Sequence, residues 1–450
     1  MSSHPTDSGE HRLHLNISLL TPGHFRGAWR TTGNAPTDFV DPDHFRRLIR
    51  IAERGGLTAV FVGDAPALSP DIAHAPGLGL DPVVMLAHTV AGTSGIGVIA
   101  TGSSTYNDPY NLARRYLSLD HLTRGRAGWN VVTTQLEAAA ANFGLASPPD
   151  KDERYRRADE FVDVVLKLWE GWEPDALVGD AVTGRFADPS RIHGAGHRGE
   201  YYSVAGALPL PRSPQGRPLL VQAGASEGGR TLAGKYADVV FSAAQTIEVA
   251  HELRTDLRRR AANAGRDPDS LRTSTGLVVV VGDTEAQALR RERELRETIP
   301  LEPALRQLAV QLGLDPAELT LDTVVTAADL PPADSAAPRS AGFLTSIRSL
   351  LEWTPLTGRE IIHRSAGGAG HRLTVGTGEQ IADAIEEWFR AGATDGFTIM
   401  PGDIGTGLEA FVEQVVPELV RRGLFAGEYT HDTLRGNLGL ELAGTPVSGG

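Results

Sequence analysis

Eight short apolar runs, each followed by a helical pattern, predict a (β/α)8 barrel, the TIM-barrel class of α/β fold. Two further observations point the same way. Residues 96–134 read as a complete strand–helix–strand unit, which demands parallel strands and a right-handed crossover. Small polar residues also collect just past the carboxyl ends of the runs, the rim where ligands bind in parallel α/β folds.

The elements follow in order. Leu13 to Leu20 is the first strand. A long loop, Thr21 to Val40, carries His24, Trp29 and Arg30. Asp41-Pro42 opens a helix that Gly55-Gly56 closes. Leu57 to Val62 is the second strand, ending in Gly63-Asp64. Asp81-Pro82 opens the next helix. Ile96 to Ala100 is the third strand, followed by the hydroxyl-rich turn Thr101 to Thr105 and a helix from Pro109 to Leu122. Ala127 to Val132 is the fourth strand and carries Asn130. Asp152 to Trp169 has apolar residues at helical spacing. Strands five to eight are Pro218 to Gln222, Ala237 to Ser242, Ser274 to Val281 and Gly396 to Met400.

A minimal barrel takes about 250 residues, whereas this chain has 450. The excess is placed in two insertions, after strands four and seven. The first, at about 171–217, carries an expected hairpin around Gly199 to Val204. The second, at about 300–376, reads as mostly helical, without a clear strand. A polar, disordered tail is expected over residues 1–12, and a single barrel domain over 13–450.

Composition narrows the function. The formal net charge is −13, which disfavours nucleic acid and anionic membranes as partners. The chain has no cysteine, which excludes disulfides, thiolate catalysis and cysteine-bound metals. The histidines are scattered, without a metal-ligand spacing. With neither a signal-peptide pattern nor an apolar membrane-length run, a cytoplasmic location is expected. The loop Gly224 to Gly229 precedes a helix, so its N–H groups suit a phosphate, with Ser226 as a further donor; an ordinary strand–helix turn reads the same way.

The stretches Gly63-Asp64, SSTYNDPYNLARRYLSLDHLTRGRAGWNVVTT, DERYRRADEF, RSPQGRPLLVQAGASEGG, GLEAFVEQVVPELVRRGLF and EYTHDTLRGNLGL span nearly the whole chain. Together they resemble the bacterial-luciferase-like flavin monooxygenases. The resemblance is to the group of nitrilotriacetate monooxygenase, dibenzothiophene-sulfone monooxygenase and the large subunit of pristinamycin IIA synthase. It implies an enzyme that binds reduced FMN, receives it from a separate NAD(P)H-dependent flavin reductase, and activates O2 as a peroxyflavin to oxygenate a small organic substrate.

By the same resemblance Asp64 matches the acid beside the flavin. Ser103 and Ser104 match small polar residues near the isoalloxazine ring, and Asn130 the Asn of a GWN motif. Tyr155 matches the Tyr of an R-Y motif, and Ser226 a phosphate-binding Ser, with Gly224 and Glu227 in the same loop. Lys151 stands where the family commonly has His. A homo-oligomer is the expected assembly. No GxGxxG loop follows a strand, so no nicotinamide-binding unit of the doubly wound kind is expected. An F420-dependent oxidoreductase on the same barrel and a flavin-binding protein without turnover are the alternatives.

Overall fold

The computed structural model describes residues 12–443, apart from residues 70, 225, 332–340 and 366–370. The tail expected over residues 1–12 lies outside the described residues except for Arg12. So do residues 332–340 and 366–370 of the second insertion.

Eight parallel strands close on themselves: β1 His14–Ser18, β2 Ala59–Val62, β3 Gly97–Ser103, β4 Ala127–Val132, β5 Leu219–Gln222, β6 Val239–Ser242, β7 Arg272–Val281 and β8 Gly396–Pro401. They pair in sequence order, β1 also pairs with β8, and β6 pairs with β7. This is the predicted barrel. Its strands were readable because parallel strands buried on both faces become nearly continuous apolar runs.

Alternation sorts the side chains. Trp129 and Val131 of β4 face the surrounding helices, where Trp129 meets Tyr116, Phe161 and Trp169. Asn130 faces the barrel interior and is hydrogen-bonded to Thr101 across the β3–β4 register. The helices start where the sequence places their caps. Asp41, Asp81 and Asp108 each accept an N–H from the first turn, with Pro behind them. Asp150 and Ser226 cap the helices Lys151–Trp169 and Glu227–Tyr236 in the same way. Each such cap contributes about 1 kcal/mol.

The floor of the barrel is sealed by the C-terminal segment. Leu434, Leu438 and Leu440 pack against Ala59, Ile99, Leu219, Val221 and Val239. Beside them Arg435, from the short Leu434–Asn437 helix, forks onto Asp238 at 3.0 and 2.8 Å, and Arg217 adds a contact of 3.1 Å.

The first insertion contains the expected hairpin, His197–Arg198 against Ser203–Val204, and a second one, Leu177–Asp180 against Arg185–Ala187. The second insertion corrects the sequence reading. Its helices Leu301–Leu312, Ala341–Trp353 and Gly358–Ser365 gather an apolar core of their own. It also contains strands: Val324–Val325 pairs with Leu356–Thr357, and Arg372–Gly376 adds to the sheet in parallel beside β7. The latter reads RLTVG and is only half-buried, so it lacks the apolar run that marks the barrel strands. Among the described residues no helix is long and apolar enough to cross a membrane.

Candidate active site at the barrel mouth

The mouth is built by the carboxyl ends of the strands and the loops that follow them. On the β3–β4 side, the predicted hydroxyls are structural anchors. Ser103 Oγ accepts N–H groups from Thr105 and Tyr106 at 3.1 and 3.3 Å and the Thr134 hydroxyl at 2.8 Å. It therefore shapes the turn and ties it to the end of β4. Ser104 donates its hydroxyl to Val132 O at 3.2 Å and its N–H to the same oxygen.

Asn130 is different. Its amide nitrogen donates to Thr101 Oγ1 at 2.9 Å, while its Oδ1 is buried without a partner. A buried, unpaired acceptor costs about 1–3 kcal/mol. Asn130 Oδ1 is thus able to take a donor from outside the chain.

Asp64 lies two residues past β2 and is partly buried. Burial, and then the nearby Asp81, push its carboxyl above the ordinary range. It is an acid held where ionisation is disfavoured.

On the β5 side, Ser226 caps the Glu227–Tyr236 helix, and its Oγ lies 2.8 Å from the Tyr155 hydroxyl. The Tyr155 ring lies so close to Gly228 that a Cβ there would sit 2.6 Å from it, so glycine is what admits the ring. Gly224 and Gly229 also approach closely, a Cβ on Gly224 falling 3.1 Å from the Gly229 Cα. Two hydroxyls and a helix N-terminus thus converge, the arrangement that suits an anion. The Glu227 carboxylate takes no part, being bound by Arg260 at 2.7 and 2.8 Å.

The sequence reading passed over a neighbouring group. Arg154 Nε, Arg157 Nε and the Tyr106 hydroxyl are buried donors without an acceptor. They lie together: burial pushes the Tyr106 phenol up, and the two guanidiniums partly offset this. Arg154 and Arg157 share a face of the Lys151–Trp169 helix, next to Tyr155. Charged residues on a helix normally read as a solvated face, so the only hint was Arg154 beside the motif tyrosine.

Across the mouth sit two imidazoles. His24 Nε2 is 3.2 Å from Ser18 Oγ at the end of β1. His371 lies against Phe241 of β6, the rings tilted at 42° with centroids 5.2 Å apart, and over Gly276 of β7, where a Cβ would collide with its ring. Burial, and then the neighbouring His371, push His24 down to about 3; burial pushes His371 down to about 4. Both are neutral near pH 7, so this side offers hydrogen-bonding groups without charge. The sequence flagged His24 only as a loop residue. His371, far away in the chain, carried no signal.

The mouth therefore has a charged, donor-rich side at β3–β5 and a neutral, aromatic and imidazole side at β6–β8 and β1. The model of a family described as luciferase-like monooxygenase matches residues 15–395 of this sequence. N-acetyl-S-(2-succino)cysteine monooxygenase of Bacillus subtilis (strain 168) is 39% identical over 438 residues, covering 96% of this chain and 98% of that protein. Nitrilotriacetate monooxygenase component A of Aminobacter aminovorans is 38% identical, covering 95% and 96%. Among solved structures, a riboflavin lyase with modified FMN and riboflavin superimposes with a TM-score of 0.83 at 33% identity, covering 96% of each chain.

Proposed function

The chain belongs to the luciferase-like monooxygenases, and on that premise we propose that it is the oxygenating component of a two-component system. It takes reduced FMN from a separate NAD(P)H-dependent flavin reductase and uses O2 to oxidise a small organic substrate. The observation that carries this reading is the set of unspent hydrogen-bonding groups on one side of the mouth.

Those groups fit a phosphorylated flavin. Tyr155, Ser226 and the N–H groups starting the Glu227–Tyr236 helix would hold the phosphate, with the Arg154, Arg157 and Tyr106 donors beside them. An anion is what such a donor set lacks. Asn130 Oδ1 would accept from the ring system deeper in the mouth. When bound, reduced flavin supplies the electrons that activate O2.

The protein's own part is binding, orientation and exclusion of water. Ser103 and Ser104 fix the turn after β3, so the cofactor side is rigid before anything binds. Asp64, with its raised carboxyl, is the group on that side best suited to hold or pass a proton. On the opposite side, neutral His24 and His371 with Phe241 offer an organic substrate apolar surface and two uncharged hydrogen-bonding groups.

A partner component is supported by the relative named component A and by the missing GxGxxG loop. The test combines binding with turnover. Ser226→Ala is expected to weaken FMN by about 1.5–3 kcal/mol, the net value of one charge-assisted hydrogen bond, in an equilibrium titration that leaves riboflavin nearly unchanged. The purified chain is expected to oxidise NAD(P)H with FMN only when a flavin reductase is added. Unchanged FMN affinity, or rapid NAD(P)H oxidation by the chain alone, counts against the reading.

A further inference from the structure

Met400 lies near the carboxyl end of β8 and faces into the barrel. Side chains alternate along a strand. Phe397 and Ile399 join the core shared with the surrounding helices, whereas Thr398 is bonded to Ser274 in the interior at 2.9 Å. Met400 therefore turns inward, two residues beyond Thr398 and at the level of the mouth. It pairs in register with Val278 of β7.

Its thioether borders a notch in the wall. A Cβ on Gly276 would sit 2.9 Å from Met400 Sδ and closer still to Nδ1 and Cε1 of His371. Sulfur and imidazole thus meet over the same glycine, on the neutral side of the mouth. His371 Nδ1 is buried there without a hydrogen-bond partner. The next two residues anchor the first rim loop: His24 N donates to Pro401 O and Phe25 N to Gly402 O, both at 3.0 Å.

The other methionine among the described residues is placed differently. Met85 belongs to the helix Pro82–Thr89 outside the barrel and is buried in the main core, where its sulfur accepts the Thr89 hydroxyl at 3.4 Å. It serves as an internal reference for a thioether away from the mouth.

We propose that Met400 is a site of self-oxidation: when oxygen is reduced in the mouth without substrate, the hydrogen peroxide formed there passes one oxygen to the Met400 sulfur. This rests on the reading of the mouth as a flavin and oxygen site, where loss of peroxide is the side reaction that a closed, occupied pocket suppresses. In the step, the O–O bond of the peroxide breaks and an S–O bond forms from a sulfur lone pair. The second oxygen leaves as water with both protons. The thioether is oxidised by two electrons to the sulfoxide, and the peroxide is reduced by two. The product is polar where the thioether was apolar. Its oxygen is an acceptor that His371 Nδ1 satisfies in the neutral tautomer that carries the proton there. Oxidation thus places a polar group on the substrate side of the mouth.

The experiment is peptide mass spectrometry of the full chain after substrate-free turnover with FMN, a flavin reductase, NAD(P)H and air, with and without catalase in solution. Sulfoxide at Met400 is expected to exceed that at Met85 by about tenfold or more, since reaction follows access to the oxidant. It should persist with catalase present, because peroxide formed inside the mouth meets the sulfur before it reaches solution. Met400→Leu keeps an apolar side chain of similar volume, and its intact mass should gain one oxygen fewer than the parent under the same turnover.

Equal oxidation of Met85 and Met400, a Met400 that stays reduced, or Met400 oxidation abolished by catalase overturns the proposal. If FMN binds in an equilibrium titration of the same sample while Met400 stays reduced, the flavin site stands and the role of Met400 falls. If no FMN binds, both fall.

Discussion

The floor and the mouth of this barrel differ in what their buried charged groups are paired with. At the floor, Asp238 accepts from Arg435 twice, from Arg217 and from Leu220 N. Asp120 accepts from Ala127 N and Gln215 on one oxygen, while its Oδ2 is buried without a partner. At the mouth, Asn130 Oδ1, Tyr106 OH, Arg154 Nε and Arg157 Nε are buried and unpaired. The floor spends most of its polar groups on the fold, with Asp120 Oδ2, Ser213 Oγ and Arg435 Nε left buried and unpaired beside them. The mouth holds them in reserve at a cost in stability, as expected of a site organised for something that arrives later.

The comparison breaks if the two ends respond alike to substitution, so the sharpest test is at the floor. Asp238→Ala strands Arg435 and Arg217 in a buried place, and is expected to cost about 3–5 kcal/mol in urea unfolding. Burial alone would raise the Asp238 carboxyl, but the two guanidiniums hold it well below the ordinary range. A carboxyl depressed in the fold stabilises fully above the unfolded-state value of about 4, and this is lost as pH falls toward the folded value. The deficit of Asp238→Asn should therefore be constant through neutral pH and shrink only in acid.

At the mouth the sign should reverse. Tyr106→Phe removes a buried hydroxyl that has no partner, so the apo protein should gain up to about 1 kcal/mol while FMN binds more weakly. A variant that loses stability and keeps its FMN affinity would show that the hydroxyl serves the fold.

How much of this contrast could be read in the sequence depends on which physical signal each part leaves. The barrel strands were legible from apolar runs, and their helices from Asp-Pro starts. Ser226 and Tyr155 were legible as a glycine-rich helix start and a family motif, and the structure places them in contact. Glu227, grouped with them by proximity in the chain, turns instead to Arg260. Arg154, Arg157 and His371 were illegible because their meaning lies in what they fail to touch or in what folds over them. Strand Arg372–Gly376 escaped because a half-exposed strand at the end of a sheet needs no unbroken apolar run.

The imidazole side sharpens the comparison through pH. His24 and His371 are neutral in the fold and protonate once unfolded. The unfolded chain thus binds more protons below the ordinary value of about 6.5, and stability should fall from there toward the folded values. His24→Asn is expected to flatten part of that slope in chemical denaturation followed from pH 7 downward. An unaltered slope would place the acid sensitivity elsewhere.

The smallest effect belongs to Asp64. A carboxyl raised in the fold opposes stability above its folded value, and the penalty is relieved as pH falls. Asp64→Asn should therefore raise the melting temperature slightly at neutral pH, with solvent screening keeping the gain small, while turnover drops. A fall in melting temperature would make Asp64 a structural residue.

The pairing of β1 with β8, together with the C-terminal plug, has a consequence for how the molecule is made. His14 meets Gly396, and Leu434 seals an interior assembled from β2, β3, β5 and β6. On a ribosome adding about 5–20 residues per second, the first strand waits roughly twenty seconds to more than a minute for its neighbour. The ring cannot be closed and floored until the last stretch leaves the exit tunnel. During that interval β1 and its successors present an open sheet edge, which makes the nascent chain a client for chaperones. A ribosome stalled before Leu434 should leave a protease-sensitive chain, and one stalled beyond Leu440, with a linker to clear the tunnel, a resistant one.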